Sequence, residues 1–129
     1  MKLRILSVFV VLMSLTSCIK KQVEGVQVVD IATYEKQLKQ PEVQLIDVRT
    51  PEEFSQGHLE NAKNINIMAE DFDAQVASLD KSKPVMVYCK SGGRSARASE
   101  RLKELGFTTI TDLEGGITNW ISENKPTVK

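Results

Sequence analysis

Residues 84–106 read PVMVYCKSGGRSARASERLKELG, and this stretch decides the fold. It begins with an apolar run at 84–88, which is typical of a strand buried on both faces of a parallel sheet. A helical spacing follows at 95–105, and Gly106 is placed to end that helix in the left-handed conformation. A buried strand, a glycine-rich loop and a helix in this order indicate an α/β sheet, in which ligands bind beyond the carboxyl ends of the strands.

Short apolar runs and helical spacings alternate on both sides of this stretch. Strands are predicted at 26–29, 44–48, 64–67, 84–88 and 108–111, and helices at 33–39, 71–79, 95–105 and 117–122. A further short helix begins at the N-cap Thr50, with Pro51 as its first residue. Glu53 completes a capping box, and Gly57 ends that helix. The alternation predicts an α/β layer architecture with a largely parallel sheet.

The composition is that of one compact domain. The chain has 129 residues, of which 41% are hydrophobic and 26% are charged, as in ordinary globular proteins. Its 17 basic side chains balance its 17 acidic ones, so we expect no basic surface of the kind that binds nucleic acid. Nucleic acid is therefore not an expected partner.

The first residues differ from the rest of the chain. Lys2 and Arg4 precede an apolar run at 5–15, which is shorter than the roughly 20 residues of a membrane-spanning helix and indicates a secretion signal. The segment ends in Leu15-Thr16-Ser17-Cys18, which resembles a bacterial lipobox. We predict a lipoprotein signal peptide at 1–17, cleaved before a lipid-bearing Cys18, then a tether at 18–25, a domain at 26–124 and a flexible tail at 125–129. In the alternative, Cys18 is incidental in a soluble secreted or uncleaved protein.

Such processing predicts a protein of the bacterial cell envelope, attached to a membrane by the lipid on Cys18 and outside the cytoplasm, in the periplasm or on the outer surface. Cys89 is then the only thiol, and it has no disulfide partner within the chain. An unpaired cysteine outside the cytoplasm is tolerated when it is buried and inert or when it is exposed and useful. We expect Cys89 to be exposed and reactive.

The loop that follows Cys89 is suited to an anion. Its residues are Lys90, Ser91, Gly92, Gly93, Arg94 and Ser95. The glycine pair permits positive φ angles, so successive amide N–H groups can turn inward as an anion-binding nest. The helix at the end of the loop adds unpaired N–H groups and a favourable dipole, and the two basic side chains add positive charge. These features favour the thiolate, which is the nucleophile. On the loop alone, a small buried structural cysteine is the alternative.

Other chemistries fit this loop less well. A nucleotide P-loop has a glycine followed by Lys and Ser or Thr at set spacing, and a dinucleotide site has G-x-G-x-x-G; neither pattern is present. One histidine, His58, and one thiol do not make a metal-ligand set. We therefore predict no metal and no cofactor.

Three motifs in this order resemble those of the single-domain rhodaneses. LIDVRTPEEF at 45–54, with Gly57-His58-Leu59 and Ala62, resembles the first signature of that family. YCKSGGRS at 88–95 resembles its active-site loop, and LEGG at 113–116 with Trp120 resembles its closing signature. The resemblance covers essentially the whole domain. It implies a rhodanese-like three-layer fold, with a central, mostly parallel five-stranded sheet flanked by helices.

The resemblance also implies a sulfurtransferase of the thiosulfate type. In that activity the Cys89 thiolate takes the sulfane sulfur of a donor such as thiosulfate, becomes a persulfide, and passes the sulfur to cyanide or a thiol. Backbone N–H groups of the loop would hold the persulfide and the departing anion, and Arg94, with Lys90, would attract the donor. The expected partners are a small anionic donor, a cyanide or thiol acceptor and a redox protein.

Six other signature residues are assigned to structure: Asp47, Arg49, His58, Gly115, Gly116 and Trp120. Asp47 and Arg49 are expected to form an ion pair or a cap at the end of a buried strand. His58 is not expected to act as a general base, because a thiol that is already ionised needs none. Trp120 is expected in the core or in support of the loop.

Two alternatives stay open. Phosphatases and arsenate reductases of the same fold also pair a cysteine with an arginine, but five residues separate the two in that pattern, whereas four separate Cys89 from Arg94. The other alternative is a binding module that keeps the fold without turnover, or a persulfide carrier that acts only within a complex.

Overall fold

The structure is a computed structural model that describes residues 23–129. The predicted signal peptide at 1–17, the predicted lipidation site Cys18 and the first part of the predicted tether lie outside the described residues. Within the described part of the chain, no helix is both long enough and apolar enough to cross a membrane.

One five-stranded sheet with helices on both faces forms the domain. The strands are β1 (Val26–Val29), β2 (Gln44–Asp47), β3 (Lys63–Asn64), β4 (Val85–Tyr88) and β5 (Ile110–Leu113). The helices are α1 (Ile31–Leu38), α2 (Pro51–Gln56), α3 (Phe72–Val76), α4 (Gly93–Glu104) and α5 (Gly116–Ser122). The strand order is β1-β5-β4-β2-β3, and every pairing is parallel. This architecture confirms the predicted α/β fold with a flanked, five-stranded sheet.

Two apolar clusters fill the space between the sheet and the helices, one on each face of the sheet. One cluster packs α3 and α4 against the sheet, and the other packs α1 and α5 against the opposite face. Successive side chains of a strand point to opposite faces, so Val85 and Val87 of β4 belong to the first cluster, and Met86 and Tyr88 to the second. Cys89 follows β4 and belongs to the first cluster. The period of the strand therefore places the thiol on the side of the sheet that α4 covers.

Local signals fix the helix ends near this edge. The side chain of Thr50 accepts the backbone N–H of Glu53, and the Glu53 carboxylate accepts the backbone N–H of Thr50, so the predicted capping box is present. Gly57 is the C-cap of α2, and Gly106 has a φ of +100° after α4. α4 begins at Gly93, two residues before the predicted start. The first residue of a helix has no intrahelical N–H bond to lose, which makes glycine tolerable there.

The last strand differs from its prediction. It was expected at 108–111 and is found at Ile110–Leu113. Thr108 and Thr109 are β-branched and favour extended backbone, but pairing begins only at Ile110, which lies opposite Val85 of β4 and Val26 of β1. The later start extends the strand to include Asp112, which is buried in the centre of the sheet.

The segment at 125–129, predicted as a flexible tail, is attached to the domain. His58 and Val128 exchange two backbone hydrogen bonds of 2.9 Å each in an antiparallel bridge. The indole Nε1 of Trp120 donates to the carbonyl of Pro126 at 2.8 Å, and Lys125 forms an ion pair with Glu35 at 3.0 Å. The expectation of a frayed tail is corrected: two of these partners, His58 and Glu35, lie far from the tail in sequence, and no local pattern marks them.

Candidate active site

Cys89 lies at the carboxyl end of β4, the central strand of the sheet. Contrary to the sequence-based expectation of an exposed thiol, the residue is only 1% exposed. Its side chain packs beneath the loop that follows, between the sheet and the first turn of α4.

The sulfur has two polar neighbours, both from the loop. The backbone N–H of Gly92 donates to Sγ of Cys89 at 3.0 Å, and Sγ lies 3.4 Å from Oγ of Ser95, to which the thiol donates. Oγ of Ser95 in turn donates to the carbonyl of Gly92 at 3.1 Å. Gly92 has a φ of +123°, a conformation that residues with a side chain rarely adopt, and this turns its N–H towards the sulfur.

Five further backbone N–H groups of this segment donate to no protein acceptor among the described residues. They belong to Lys90, Ser91, Gly93, Arg94 and Ser95. The last three are the first N–H groups of α4, which a helix leaves without intrahelical partners. Unused backbone donors beside a sulfur, at the positive end of a helix dipole, form a site for negative charge.

The second glycine pair, Gly115-Gly116, leads into a helix that binds the backbone carbonyls of this loop. The N–H groups of Ile117 and Thr118, at the start of α5, donate to the carbonyls of Cys89 and Lys90 at 2.9 Å and 3.0 Å. A Cβ atom on Gly116 would lie 2.4 Å from the carbonyl oxygen of Lys90, far inside contact distance. Glycine at this position therefore allows α5 to approach the loop and bind its carbonyls.

Arg94 has a partner that the sequence analysis missed. Its guanidinium makes two hydrogen bonds to the Glu53 carboxylate, of 2.6 Å and 2.9 Å. Arg94, with Thr50, lowers the pKa of Glu53 to about 2 despite partial burial, and Glu53 raises the pKa of Arg94, with a smaller contribution from Cys89. The positive charge of Arg94 is thus largely compensated by a carboxylate. The capping box marks Glu53 in the sequence, but nothing there shows that its carboxylate also reaches Arg94.

Asp47 and Arg49 form a buried ion pair at the end of β2. Nη2 of Arg49 lies 2.7 Å from Oδ2 of Asp47 and donates to the carbonyl of Gly57 at 2.7 Å. Burial opposes the charge of Arg49, but its hydrogen bonds with Asp47, together with the charges of Asp47, Tyr88 and Glu53, outweigh this effect and raise its pKa. The side chain of Asn64 donates to the backbone carbonyls of both residues. This network connects β2, β3 and the end of α2.

The remaining signature residues lie away from the sulfur. Nδ1 of His58 is 2.9 Å from the carbonyl of Phe54, and the two rings stack at 3.7 Å between centroids. Trp120 is buried in the cluster on the α1 and α5 face. Neither side chain has a hydrogen bond to Cys89 or its loop among the described residues, so neither can move a proton at the sulfur.

The sequence analysis also missed Asp112. It is 3% exposed, and its Oδ1 atom has no hydrogen-bond partner among the described residues. Burial raises the pKa of this carboxyl group to about 6, and the Ser95 hydroxyl and the backbone N–H of Leu113 act in the opposite direction. An acid inside the strand ITDL is the only signal in the sequence.

No metal site is formed by the part of the chain that the structure describes, since it contains no group of three or more histidine, cysteine or acidic residues that could hold an ion.

The fold and the site define a class of α/β domains that carry a cysteine nucleophile in an anion-binding loop after the central strand. The family model of the rhodanese-like domain matches residues 30–123, and the chain belongs to that family. Thiosulfate sulfurtransferase 16, chloroplastic, from Arabidopsis thaliana is 42% identical over 92 residues, which are 64% of this chain and 77% of that protein. Other curated relatives are covered over 55% to 80% of their length.

Solved structures show the same similarity. A rhodanese-related protein from Thermoplasma volcanium aligns with a TM-score of 0.70 at 35% identity, over 79% of this chain and 97% of that one. The polysulfide-sulfur transferase homodimer from Wolinella succinogenes aligns with a TM-score of 0.68 at 34% identity, over 81% of this chain and 79% of that one. The family and its sulfurtransferase relatives indicate sulfurtransferase chemistry.

Proposed function

We propose that the protein is a sulfurtransferase that carries sulfur on Cys89 as a persulfide. It takes the sulfur from a sulfane donor such as thiosulfate and passes it to cyanide or a thiol. The geometry of the loop carries the proposal: the sulfur accepts the N–H of Gly92 at 3.0 Å, and five neighbouring N–H groups are left free by the described residues. A reactive anion at Cys89 would meet donors that are already in place.

The proposed cycle balances without a cofactor. The Cys89 thiolate attacks the outer sulfur of thiosulfate and forms an S–S bond, while the bond between the two thiosulfate sulfurs breaks and sulfite leaves with its electron pair. Cyanide or a thiolate then attacks the terminal sulfur of the persulfide. The electron pair of the breaking S–S bond returns to Cys89, so the thiolate is restored and the protein is not oxidised overall.

The loop supplies electrostatic stabilisation in this cycle. Both the persulfide and the departing sulfite are anions beside the free N–H groups of α4, which act as fixed donors act in an oxyanion hole. Removal of one such donor typically lowers the rate by about 10² to 10³. Because Arg94 is paired with Glu53, Lys90 is the cation that attracts the donor; it is exposed and has no ion pair among the described residues.

The relatives suggest two donors of one chemical class. One is named a thiosulfate sulfurtransferase and another a polysulfide-sulfur transferase. Thiosulfate and polysulfide both end in an anionic sulfane sulfur, which suits a site made of general donors. Release of thiocyanate or of hydrogen sulfide, measured with each donor and with cyanide or a small thiol, would identify the preferred pair.

Turnover also separates an enzyme from a carrier. We expect the wild type to transfer sulfur repeatedly and Cys89→Ser to transfer none. A wild type that takes up one sulfur and passes it to no small acceptor would favour the persulfide carrier. Hydrolysis of a phosphoester or reduction of arsenate without any sulfur transfer would favour the phosphatase or arsenate reductase alternative instead.

We also propose that the domain works in the bacterial cell envelope, attached by lipid on Cys18. The support is the sequence: two basic residues, a short apolar run and the lipobox-like Leu15-Thr16-Ser17-Cys18. One acyl chain binds a membrane only marginally, so stable attachment requires several. In a bacterial host, the wild type should incorporate a labelled fatty acid and sediment with membranes, and Cys18→Ala should do neither. Equal labelling of the two proteins would contradict this proposal.

A further inference from the structure

Asp112 is a buried carboxyl group near the active site for which the proposed sulfur cycle has no role. Its residue exposure is 3%, and Oδ1 has no hydrogen-bond partner among the described residues. Buried polar groups are normally satisfied, and a buried carboxylate without its hydrogen bonds is destabilising. The position of this acid in a strand whose four residues are all buried therefore requires an explanation.

The register of the sheet brings Asp112 to the face that carries the thiol. Asp112 of β5 lies opposite Val87 of β4. Val87, Cys89 and Ile110 all belong to the apolar cluster beneath α4, and Asp112 shares their face because residues two apart on a strand point the same way. Asp112 and Cys89 are thus diagonal neighbours on adjacent strands.

Ser95 connects the two side chains. It is fully buried in the first turn of α4, and its Oγ accepts from Sγ of Cys89 at 3.4 Å. The same hydroxyl favours the ionised form of the Asp112 carboxyl group, as a hydrogen-bond donor does. In the structure its proton is directed to the carbonyl of Gly92 at 3.1 Å, and a serine hydroxyl can rotate between acceptors. Ser95 is therefore both an acceptor for the thiol and a donor available to the carboxylate.

We propose that Asp112 is the proton acceptor for Cys89 and that Ser95 carries the proton between them. The S–H proton passes to Oγ of Ser95 while the Ser95 hydroxyl proton passes to the Asp112 carboxylate. The products are a thiolate and a neutral carboxyl group. Two protons shift together, so that one proton is transferred in net terms from Cys89 to Asp112 and Ser95 ends with its hydroxyl restored; no electrons change hands and no further reactant is needed. The inference rests on the proposed function, since it supplies the thiolate that attacks the sulfur donor.

The environment suits Asp112 to this task. Burial raises the pKa of its carboxyl group to about 6, with Ser95 and the backbone N–H of Leu113 opposing. A base of this strength takes up and returns a proton close to neutral pH. The neutral carboxyl group is also the form that burial favours, and proton uptake moves the negative charge from the carboxylate to the sulfur, which accepts the N–H of Gly92.

Few other charges face this carboxyl group. Tyr34 of α1 lies on the opposite face of the sheet, and the pKa of its phenol is raised well above its ordinary value, first by burial and then by the charge of Asp112. α4 carries the cations Arg94, Arg97, Arg101 and Lys103, of which Arg94 is paired with Glu53 and Arg101 with Asp73 and Glu104. The segments β1 and α5 carry no charged side chain. Tyr88 of β4 points to the opposite face, and Cys89, the residue after β4, is the titratable group on the face of Asp112.

The pH profile of Cys89 alkylation tests the proposal. The full chain is treated with iodoacetamide at a series of pH values, and the rate is followed by intact mass. Two groups that share a proton titrate as a pair in two macroscopic steps, so the wild type should show a partial plateau of reactivity between them. Asp112→Asn keeps the shape of the side chain but cannot accept the proton, and it should show a single step. In the pH range of the plateau, the alkylation rate of Asp112→Asn should differ from that of the wild type by about tenfold. This factor corresponds to an interaction of about one pK unit, which is the smallest that separates two titration steps.

A pair of serine variants separates the relay from general loosening of the site. Ser95→Ala should lose the plateau as Asp112→Asn does. Ser99→Ala removes another buried hydroxyl one turn further along α4, where it donates to the carbonyl of Ser95, and it should keep the plateau. Loss of the plateau in all three variants would point to structural damage and would overturn the relay.

Reciprocity supplies a second measurement. If Asp112 alters the titration of Cys89, then Cys89 must alter the titration of Asp112 to the same extent. Carbon-13 NMR of the Asp112 carboxyl group, in the wild type and in Cys89→Ala, should show a shift in midpoint of the same size as that between the wild-type and Asp112→Asn alkylation profiles. Identical profiles in the wild type and Asp112→Asn, or an Asp112 titration indifferent to Cys89→Ala, would overturn the proposal.

The stability of Asp112→Asn serves as its folding control. Because the pKa of Asp112 is raised in the folded state, its ionisation destabilises the fold progressively as pH rises from about 4 to about 6. The melting temperature of Asp112→Asn should therefore exceed that of the wild type at pH 7, and the difference should vanish near pH 4. Alkylation involves no sulfur donor, so failure of the relay would leave the sulfurtransferase proposal standing, and failure of sulfur uptake would leave these profiles unchanged.

Discussion

The two loops that carry a glycine pair use the N-termini of their helices in opposite ways. After β4, Gly92-Gly93 leads into α4, whose first N–H groups have no protein acceptor among the described residues. After β5, Gly115-Gly116 leads into α5, whose N–H groups donate to the carbonyls of Cys89 and Lys90 at 2.9 Å and 3.0 Å. The first helix end is left available for a ligand, and the second holds the first loop in place.

This difference explains how the N–H groups of the loop after Cys89 are held in place for an anion. A loop that turns its N–H groups inward must direct its carbonyls elsewhere, and a buried carbonyl needs a donor. The start of α5 supplies two such donors, and Gly116 allows the approach because it has no Cβ. The preorganised donors at Cys89 therefore depend on a segment that is far from them in sequence and makes no direct contact with the sulfur.

Gly116→Ala should have the largest effect, because it breaks the support given by the second loop. The new Cβ would lie 2.4 Å from the carbonyl oxygen of Lys90 and 2.6 Å from that of Cys89, at a φ of +61°. Overpacking and left-handed strain together predict a loss of roughly 2–4 kcal/mol in the free energy of unfolding. Displacement of the loop predicts a loss of about 10² in sulfur-transfer rate, measured under conditions where the variant is folded. A folded variant with wild-type activity would show that α5 does not hold the loop after Cys89 in its active conformation.

Gly92→Ala acts on the first loop and should have an intermediate effect. Nothing lies within 4 Å of the added Cβ, but the φ of +123° is unfavourable for alanine. The strain predicts a loss of about 1–3 kcal/mol in stability. Rotation of the N–H away from the sulfur removes a hydrogen bond to a charged group, which predicts about a tenfold slower rate of persulfide formation. Urea titration and stopped-flow measurement of sulfur uptake would check the two effects; an unchanged rate would mean that this N–H does not stabilise the anion.

Glu53→Gln changes the charge of the first loop without changing its backbone. The carboxylate compensates Arg94 in the wild type, so its removal should lower the KM for thiosulfate by about two- to fivefold, the size of a partly exposed ion pair. The gain should vanish at high salt. A higher KM in the variant would show that Glu53 is needed to position Arg94 rather than to compensate it.

The same ion pair predicts a pH dependence. The pKa of Glu53 is lowered from 4.5 to about 2, so its contribution to stability is present above 4.5 and is lost as pH falls towards about 2. The difference in stability between the wild type and Glu53→Gln, followed by circular dichroism, should therefore be full above about pH 4.5 and shrink as pH falls towards about 2. A difference that appears only in acid, or that stays constant down to about pH 2, would contradict this assignment.

Gly93→Ala should have the smallest effect. It adds the same methyl group as Gly116→Ala, but in the first loop, and is therefore the matched control for that variant. Its added Cβ meets nothing within 4 Å, and the residue lies in the first turn of α4. Alanine should raise the free energy of unfolding by about 0.4–1 kcal/mol, because it restricts the unfolded chain. Its sulfur-transfer rate should fall far less than that of Gly116→Ala. Equal losses in the two variants would mean that any glycine in these pairs is required, and the contrast between the loops would fail.

Local patterns predicted most of the fold. The period of β4, the capping box at Thr50 and Glu53, and the glycine at 106 each depend on neighbours in sequence, and the structure contains all of them. The predicted range of β5 began two residues too early, because the limits of this strand follow from its pairing with β1 and β4 rather than from its own composition.

The site was predictable only in part for the same reason. The Cys89 loop was recognised because thiol, glycines and helix start are contiguous. The pairing of Arg94 with Glu53, the hydrogen bonds from α5 and the burial of Asp112 join segments distant in sequence. The depth of the thiol was misjudged, since a strand end gives no sign of how the following loop folds over it.

Intact-mass analysis after treatment with a sulfane donor tests the central claim most directly. The purified wild type is incubated with thiosulfate or polysulfide, separated from the donor and weighed beside Cys89→Ser. The wild type should gain the mass of one sulfur atom, lose it again on addition of cyanide or a thiol, and Cys89→Ser should gain none. A wild type that stays unmodified with both donors, or a Cys89→Ser variant that takes up the same sulfur, would contradict sulfur transfer at this site.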